Sequence, residues 1–340
     1  MTINLKGRVN DNKLREFAQE LQRMSQDIGF KVSARGWCYL LEQARIIDKD
    51  GFDKAEGYIN DCRKKGFLPV DFVAEEDARA FAGVSNQTDG TIKSILQWTC
   101  ADVLTGHRYY EPDWWEGEDY YVQMLVEKID LKTLFEPVAS EYHIPIANTK
   151  GWSSILQRAE YARRFKEAEE RGLTCVVLYC GDHDPDGLRI SDTIRKNLEQ
   201  LAEVEWSDGT EGYDPANLEI VRFGLNYDFI TQQGYTWIDN LITGSGKNLA
   251  SPGHPNFNLK YVQEYLRRIG ARKCEANAIV TTPDAARELV RDAIEAIVGD
   301  ARERFAEKRR GIEERYAELL AETNLIDTLQ AVVASDDEAD

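Results

Sequence analysis

Residues 173–180 read LTCVVLYC, an almost unbroken apolar run bounded by Gly172 and Gly181. Eight residues are too few for a core helix and suit a strand buried on both faces. Such a strand belongs to a parallel sheet, because only crossover helices cover both faces of a sheet. The flanking chain agrees. Residues 120–127 (YYVQMLVE), 144–148 and 218–225 (LEIVRFGL) read as further strands, with helical patterns at 129–142, 153–171 and 188–202 between them. This alternation predicts an α/β fold with a parallel sheet. Charged helical residues 283–324 close it.

The N-terminal part has a different pattern. Leu14, Phe17, Leu21, Met24 and Ile28 recur at helical spacing over 12–28. Ser33 is placed to cap a second helix over 34–47, and a third over 53–65 ends at Gly66. Three short helices followed by the extended FLPVDFV fit a helix-turn-helix or winged-helix module. Residues 83–119 fit no regular element and read as a connection packed down by Trp114 and Trp115. The expected division is 1–82, 83–119 and 120–325, with an acidic tail over 326–340. A length of 340 residues accommodates one large and one small domain.

Several classes are excluded. No run of about 18 apolar residues is present, so no membrane span is expected. The N-terminus lacks a signal-type apolar stretch, which predicts a cytoplasmic protein with its six cysteines reduced and buried. No cysteines or histidines are paired at zinc-binding spacing. The net charge of −18 argues against nucleic acid, but residues 1–72 hold 13 Lys and Arg against 11 Asp and Glu. Local charge decides contact, while net charge acts mainly on rate and salt response.

Ligands of parallel α/β folds bind at the carboxyl ends of the strands. Glu127 directly follows the first strand, and Asp182, Asp184 and Asp186 follow the third. Clustered carboxylates raise one another's pKa unless a cation lies among them. Their oxygens suit Mg²⁺. Glu127, Asp182 and Asp184 are therefore the candidate Mg²⁺ ligands of a phosphate-transfer centre. The plainer alternative is that these aspartates cap the helix starting near 188. In KGWSS (150–154), Lys150 and Ser153 are placed to meet a phosphate, with an ordinary capped turn as the equal alternative.

The series VEK…KGWSS…GDHDPDGLRIS resembles the Toprim domain, in the form found in the topoisomerase VI A subunit and its relatives, the meiotic double-strand-break proteins. The family pattern D-x-D-P-[YH]-G-x-x-I is matched from Asp182 to Ile190, with Asp186 where the family usually carries an aromatic residue. RKCEANAIV at 272–280 is similar to a later family segment whose acid is matched by Glu275. The resemblance spans roughly 26–300. It implies an N-terminal winged-helix (CAP-like) domain, then a Toprim domain with a parallel Rossmann-like sheet and added C-terminal helices.

The family also carries a nucleophilic tyrosine four residues after an arginine. The matching residues are Arg35 and Tyr39, with Cys38 in place of a first tyrosine. Helical geometry puts Trp37, Leu40, Leu41 and Ala44 on an apolar face and Tyr39 opposite, beside Arg35 and Gln43. The resemblance implies that Tyr39 attacks a DNA phosphorus, forms a 5′-phosphotyrosyl link and releases a 3′-OH. Arg35 would favour the phenolate and steady the phosphorane charge.

The same resemblance implies a type IIB topoisomerase A-subunit-like homodimer acting on double-stranded DNA, with the tyrosine of one subunit facing the metal site of the other. Strand passage would require a separate ATPase B-type subunit. Arg63, Lys64 and Lys65, with Lys150 and Ser153, are the candidate DNA contacts. Two other readings stand beside it. One is a Toprim nuclease in which water attacks; the other is a DNA-binding module with a degenerate metal site. An aspartyl phosphatase is disfavoured by Pro185-Asp186, where Thr or Val would stand.

Overall fold

The structure, a computed structural model, describes residues 10–74, 90–149, 154–209, 212–242 and 247–335. The N-terminal helices are α1 (Asp11–Ile28), α2 (Ala34–Gln43) and α3 (Phe52–Lys64), followed by α4 (Ile92–Leu104). Strands β1 (Tyr120–Val126), β2 (Ile146–Asn148), β3 (Thr174–Cys180) and β4 (Glu219–Gly224) alternate with α5 (Ile129–Glu141), α6 (Ile155–Glu170), α7 (Ile190–Glu199) and α8 (Tyr227–Gln233). Helices α9 (Lys260–Arg268), α10 (Pro283–Val298), α11 (Ala301–Glu322) and α12 (Ile326–Val333) follow. Described residues up to 74 and over 118–299 form one compact unit, and those over 90–117 and 300–335 form a second.

In the first unit the four strands form one parallel sheet in the order β2-β1-β3-β4. The mixed α/β class with a parallel sheet is as the sequence predicted. Strand β3 is buried from Cys175 to Cys180, and β1 from Tyr121 to Val126. The two pair in register along seven residues. Both therefore face packed layers on each side, which explains their largely apolar sequences, with Gln123 of β1 buried and donating to Tyr161 O at 3.0 Å. From β1 the chain moves outward to β2, crosses back to β3 and continues to β4. The direction of travel reverses between β1 and β3, so a crevice opens at their carboxyl ends.

The N-terminal helices belong to this same unit. Asn10 caps α1 through Lys13 N at 3.0 Å. Ser33 caps α2 through Gly36 N at 3.0 Å, as its position in the sequence suggests. Helix α2 ends at Gln43 rather than at 47, and Ala44, expected on its apolar face, is exposed. Beyond α3 the extended segment contributes one isolated bridge, Ser33 to Ala74. No wing strands are present among the described residues of this module.

Two further departures have simple causes. Residues 92–104 are helical although 83–119 read as irregular. Helix α4 buries only Cys100 and leaves Ile92, Leu96 and Trp98 exposed, so it shows no one-sided stripe. The helical run over 283–324 breaks at Gly299, whose φ of 57° is readily adopted only by glycine. Residues from 300 on, which the sequence pattern assigned to the α/β part, group instead with 90–117. Within that second unit Trp114 packs on Phe305 with ring centroids 4.6 Å apart, and both Trp114 and Trp115 are buried. No helix among the described residues is long and apolar enough to cross a membrane.

Candidate functional site

The crevice between β1 and β3 opens into a cavity of about 610 Å³ within the first unit. Tyr39, Glu127, Lys128, Asp182, Asp184 and Glu275 line it. Glu127 leaves the end of β1 and Asp182 the end of β3, so the register of the two strands puts their backbones side by side. Glu127 N donates to Cys180 O at 2.9 Å, and Asp182 N donates to Glu127 Oε2 at 2.7 Å. Gly181 makes this approach possible, since a Cβ there would lie 2.7 Å from Glu127 Oε2 and would also strike the Tyr179 hydroxyl.

Each acid has one oxygen committed to backbone. Asp182 Oδ1 accepts from Ala276 N at 2.7 Å, and Asp184 Oδ1 from Gly187 N at 2.6 Å. Asp184 thus performs the local turn duty that the capping alternative proposed for these aspartates. Asp182 does not; its partners come from other segments. The remaining oxygens of Glu127 and Asp182 converge on the Lys128 ammonium, at 2.6 and 3.0 Å.

Glu275 adds a second layer. Its Oε1 accepts from Lys49 at 2.6 Å and pairs with Lys273 at 2.8 Å, while its Oε2 lies 3.9 Å from Lys128. Burial opposes charge on Glu275, but Lys128, Lys273 and Lys49 hold its carboxyl down at about 2. Burial likewise disfavours charge on Glu127, yet Lys128 and the Asp182 N–H keep its carboxyl below the ordinary value. Asp182 is pushed well above its ordinary value by burial and by Glu127 and Glu275, against the pull of Lys128. Burial also raises Asp184, against its bond from Gly187 N.

Tyr39 is half-buried, alone among residues 36–41 in keeping access to solvent. Its ring meets Phe52 edge-on at 5.1 Å, with the Lys49 ammonium 6.0 Å from its centroid. Burial and then Glu275 push the phenol above its ordinary value, and Lys128 and Arg35 pull the other way. Arg35 lines the cavity but spends its guanidinium elsewhere. It donates to Glu56 Oε1 at 3.0 Å, lies 3.6 Å from Asp53 Oδ1 and stacks over Phe52 at 4.8 Å.

Arg63, Lys64 and Lys65 are not brought to this site. They stand at the far end of α3 from Phe52, about 18 Å along the helix axis. Arg63 donates to Val70 O at 2.7 Å, and Lys65 pairs with Asp11. Lys150 and Ser153 lie outside the described residues.

Several residues of the site were not singled out from sequence. Lys49, Lys128 and Lys273 supply its cations. Arg222 of β4 donates to Gly181 O, Asp182 O and Gly187 O at 2.7, 2.8 and 2.7 Å, clamping the acidic loop. Its sequence signal is an arginine inside the apolar strand LEIVRFGL. Asp186 accepts from the Tyr261 hydroxyl at 2.9 Å, and Arg189 stacks on that ring at 4.7 Å. An aromatic ring thus reaches this corner from α9, beside the position where the resembled pattern has its own.

The acid pair suits a divalent ion in donor chemistry. Two carboxylate oxygens already converge on one cation, and Mg²⁺ takes one or two carboxylates with water completing its shell. Among the described residues no group of three or more His, Cys, Asp or Glu side chains is disposed to hold a metal. Glu127 and Asp182 are the two acids whose free oxygens meet at one cation, and Asp184 lines the same cavity with one oxygen bonded to Gly187 N. No family model, curated protein or solved structure matches the chain.

Proposed function

We propose that this chain is a Mg²⁺-dependent, DNA-cleaving tyrosine transesterase of the kind the Toprim resemblance implies. The supporting observation is that Tyr39 lines the same cavity as Glu127 and Asp182. Nothing in composition or helical spacing requires a half-buried phenol on an N-terminal helix to meet the carboxyl ends of β1 and β3.

In this reading Tyr39 Oη attacks a backbone phosphorus and the 3′ oxygen leaves. The phosphodiester is exchanged for a phosphotyrosyl ester, which can be resealed without ATP at that step. Glu127 and Asp182 would hold Mg²⁺, which supplies charge neutralisation at the scissile phosphate. Lys49 lines the cavity with its side chain partly exposed, a cation the DNA backbone can reach. A double-strand break takes two tyrosines, hence a second copy. Strand passage takes a separate ATPase.

One observation favours the hydrolytic alternative. Burial raises the phenol above its ordinary value and Arg35 is bonded to Glu56, so these surroundings do not favour the phenolate. The deciding experiment mixes the protein with supercoiled DNA and Mg²⁺, quenches with detergent and looks for protein on 5′ ends. An adduct lost in Tyr39→Phe supports transesterification. Cleavage that survives Tyr39→Phe with no adduct assigns attack to water.

A further inference from the structure

Lys128 stands where a metal would bind. Its ammonium takes Glu127 Oε1 at 2.6 Å and Asp182 Oδ2 at 3.0 Å, the two oxygens left free by the backbone donors. A Mg²⁺ ion needs those same oxygens at about 2.1 Å. An ammonium and a divalent ion on one carboxylate pair would stand within about 4 Å of each other, where like charges repel strongly in a partly buried site. The pair therefore holds one cation or the other.

The ammonium also has a place to go. Glu275 Oε2 lies 3.9 Å from Lys128 Nζ, and Glu275 is buried and kept ionised by the cations around it. Moving toward Glu275 keeps Lys128 paired while freeing both acid oxygens. We infer that Lys128 is a tethered cation that keeps the acid pair assembled without metal and exchanges with an incoming divalent ion by shifting onto Glu275. This rests on reading Glu127 and Asp182 as the metal pair, and it adds a competitor that the pattern of acids alone does not reveal.

The exchange has a cost and a benefit. Metal must displace a resident charge, so affinity is lower than two converging carboxylates would give by themselves. In return the buried acids are never left without a counter-charge, which is expensive in a low-dielectric site.

The test is Mn²⁺ binding followed by electron paramagnetic resonance on the full chain, with no DNA and no activity readout. Lys128→Met should bind Mn²⁺ at least tenfold more tightly than wild type. Lys128→Arg, which keeps the charge and adds a second donor arm, should bind more weakly than wild type. Without metal, Lys128→Met should melt below wild type, and saturating Mn²⁺ should raise its Tm by more than it raises that of wild type. If Asp182→Asn abolishes Mn²⁺ binding but Lys128→Met binds no more tightly than wild type, the exchange is overturned and the metal reading stands. If neither wild type nor Lys128→Met binds Mn²⁺, the metal reading fails and the exchange with it.

Discussion

Lys49 Nζ lies 2.6 Å from Glu275 Oε1 across 226 residues of sequence, and Lys273 shares that oxygen at 2.8 Å. The contact ties the turn before α3, which also presents Phe52 to Tyr39, to the segment beside the acid pair. A buried carboxylate gripped by several ammonium groups is worth little against an apolar substitute, but removing one partner leaves unmatched charge.

Glu275→Gln should therefore destabilise the fold by roughly 3–5 kcal/mol at neutral pH. The carboxyl sits at about 2 in the folded chain against an ordinary 4.5. A lowered folded value gives stability that is complete above about 4.5 and is lost as pH falls toward 2. Urea midpoints between pH 5 and 2.5 should fall steeply for wild type and less steeply for Glu275→Gln. Parallel slopes would show that Glu275 is not the titrating group.

Gly36→Ala should be costly for a helix-interior alanine. A methyl there would collide with Asp130 Oδ2 and lie 2.5 Å from Val32 Cγ1. Asp130 accepts from Ser33 N at 2.9 Å and from Ser33 Oγ at 3.2 Å, and that hydroxyl caps the helix carrying Tyr39. Overpacking of this kind costs about 1–3 kcal/mol, with a disturbed cap adding about 1. Gly57→Ala is the control: it faces open space in α3 and should stabilise by about 0.5–1 kcal/mol. Equal effects in denaturant melts would contradict the close packing of α2 on Asp130.

Arg222→Lys should loosen the acidic loop. One guanidinium spans three carbonyl oxygens of residues 181, 182 and 187, and an ammonium on a single point cannot reproduce that fork. Charge-assisted hydrogen bonds are worth about 1.5–3 kcal/mol each, so stability should drop by at least about that much. Mn²⁺ affinity should weaken as well, because the loop carries Asp182. Lower stability with unchanged Mn²⁺ binding would make Arg222 a purely structural residue.

The sheet and its acids were legible because β1 and β3 are central strands whose apolar runs end at Glu127 and just before Asp182. The capped start of α2 was legible from Ser33 for similarly local reasons. What escaped was non-local. Glu275 was matched through the resemblance, but Lys49 and Lys273 gain meaning only when 226 residues of separation collapse to one ion cluster around it. Arg35 shares the cavity lining with Tyr39, as helical spacing suggested, but its bond to Glu56 of the neighbouring helix was not readable from that spacing. Helix α4 was missed because its apolar residues are exposed on more than one side, which erases the periodic signal.

Tyr39 and the Glu127–Asp182 pair line a cavity built within one compact unit of one chain. A double-strand cut by two copies can combine tyrosine and acids in two ways: each tyrosine with its own acids, or with those of the partner. Mixing Tyr39→Phe with Asp182→Asn protein separates them. If each tyrosine uses its own acids, the mixed dimer has no complete site and supercoiled DNA stays intact. If it uses its partner's, one site is restored and singly nicked circles with bound protein appear. The packing of α2 against Asp130, with Ser33 bonded to that carboxylate, favours the first outcome. Excess of either variant mixed with wild type should convert double-strand cuts into nicks, the product of dimers with one working site, which verifies subunit exchange; nicking in the mixture of the two variants would then overturn the single-chain arrangement.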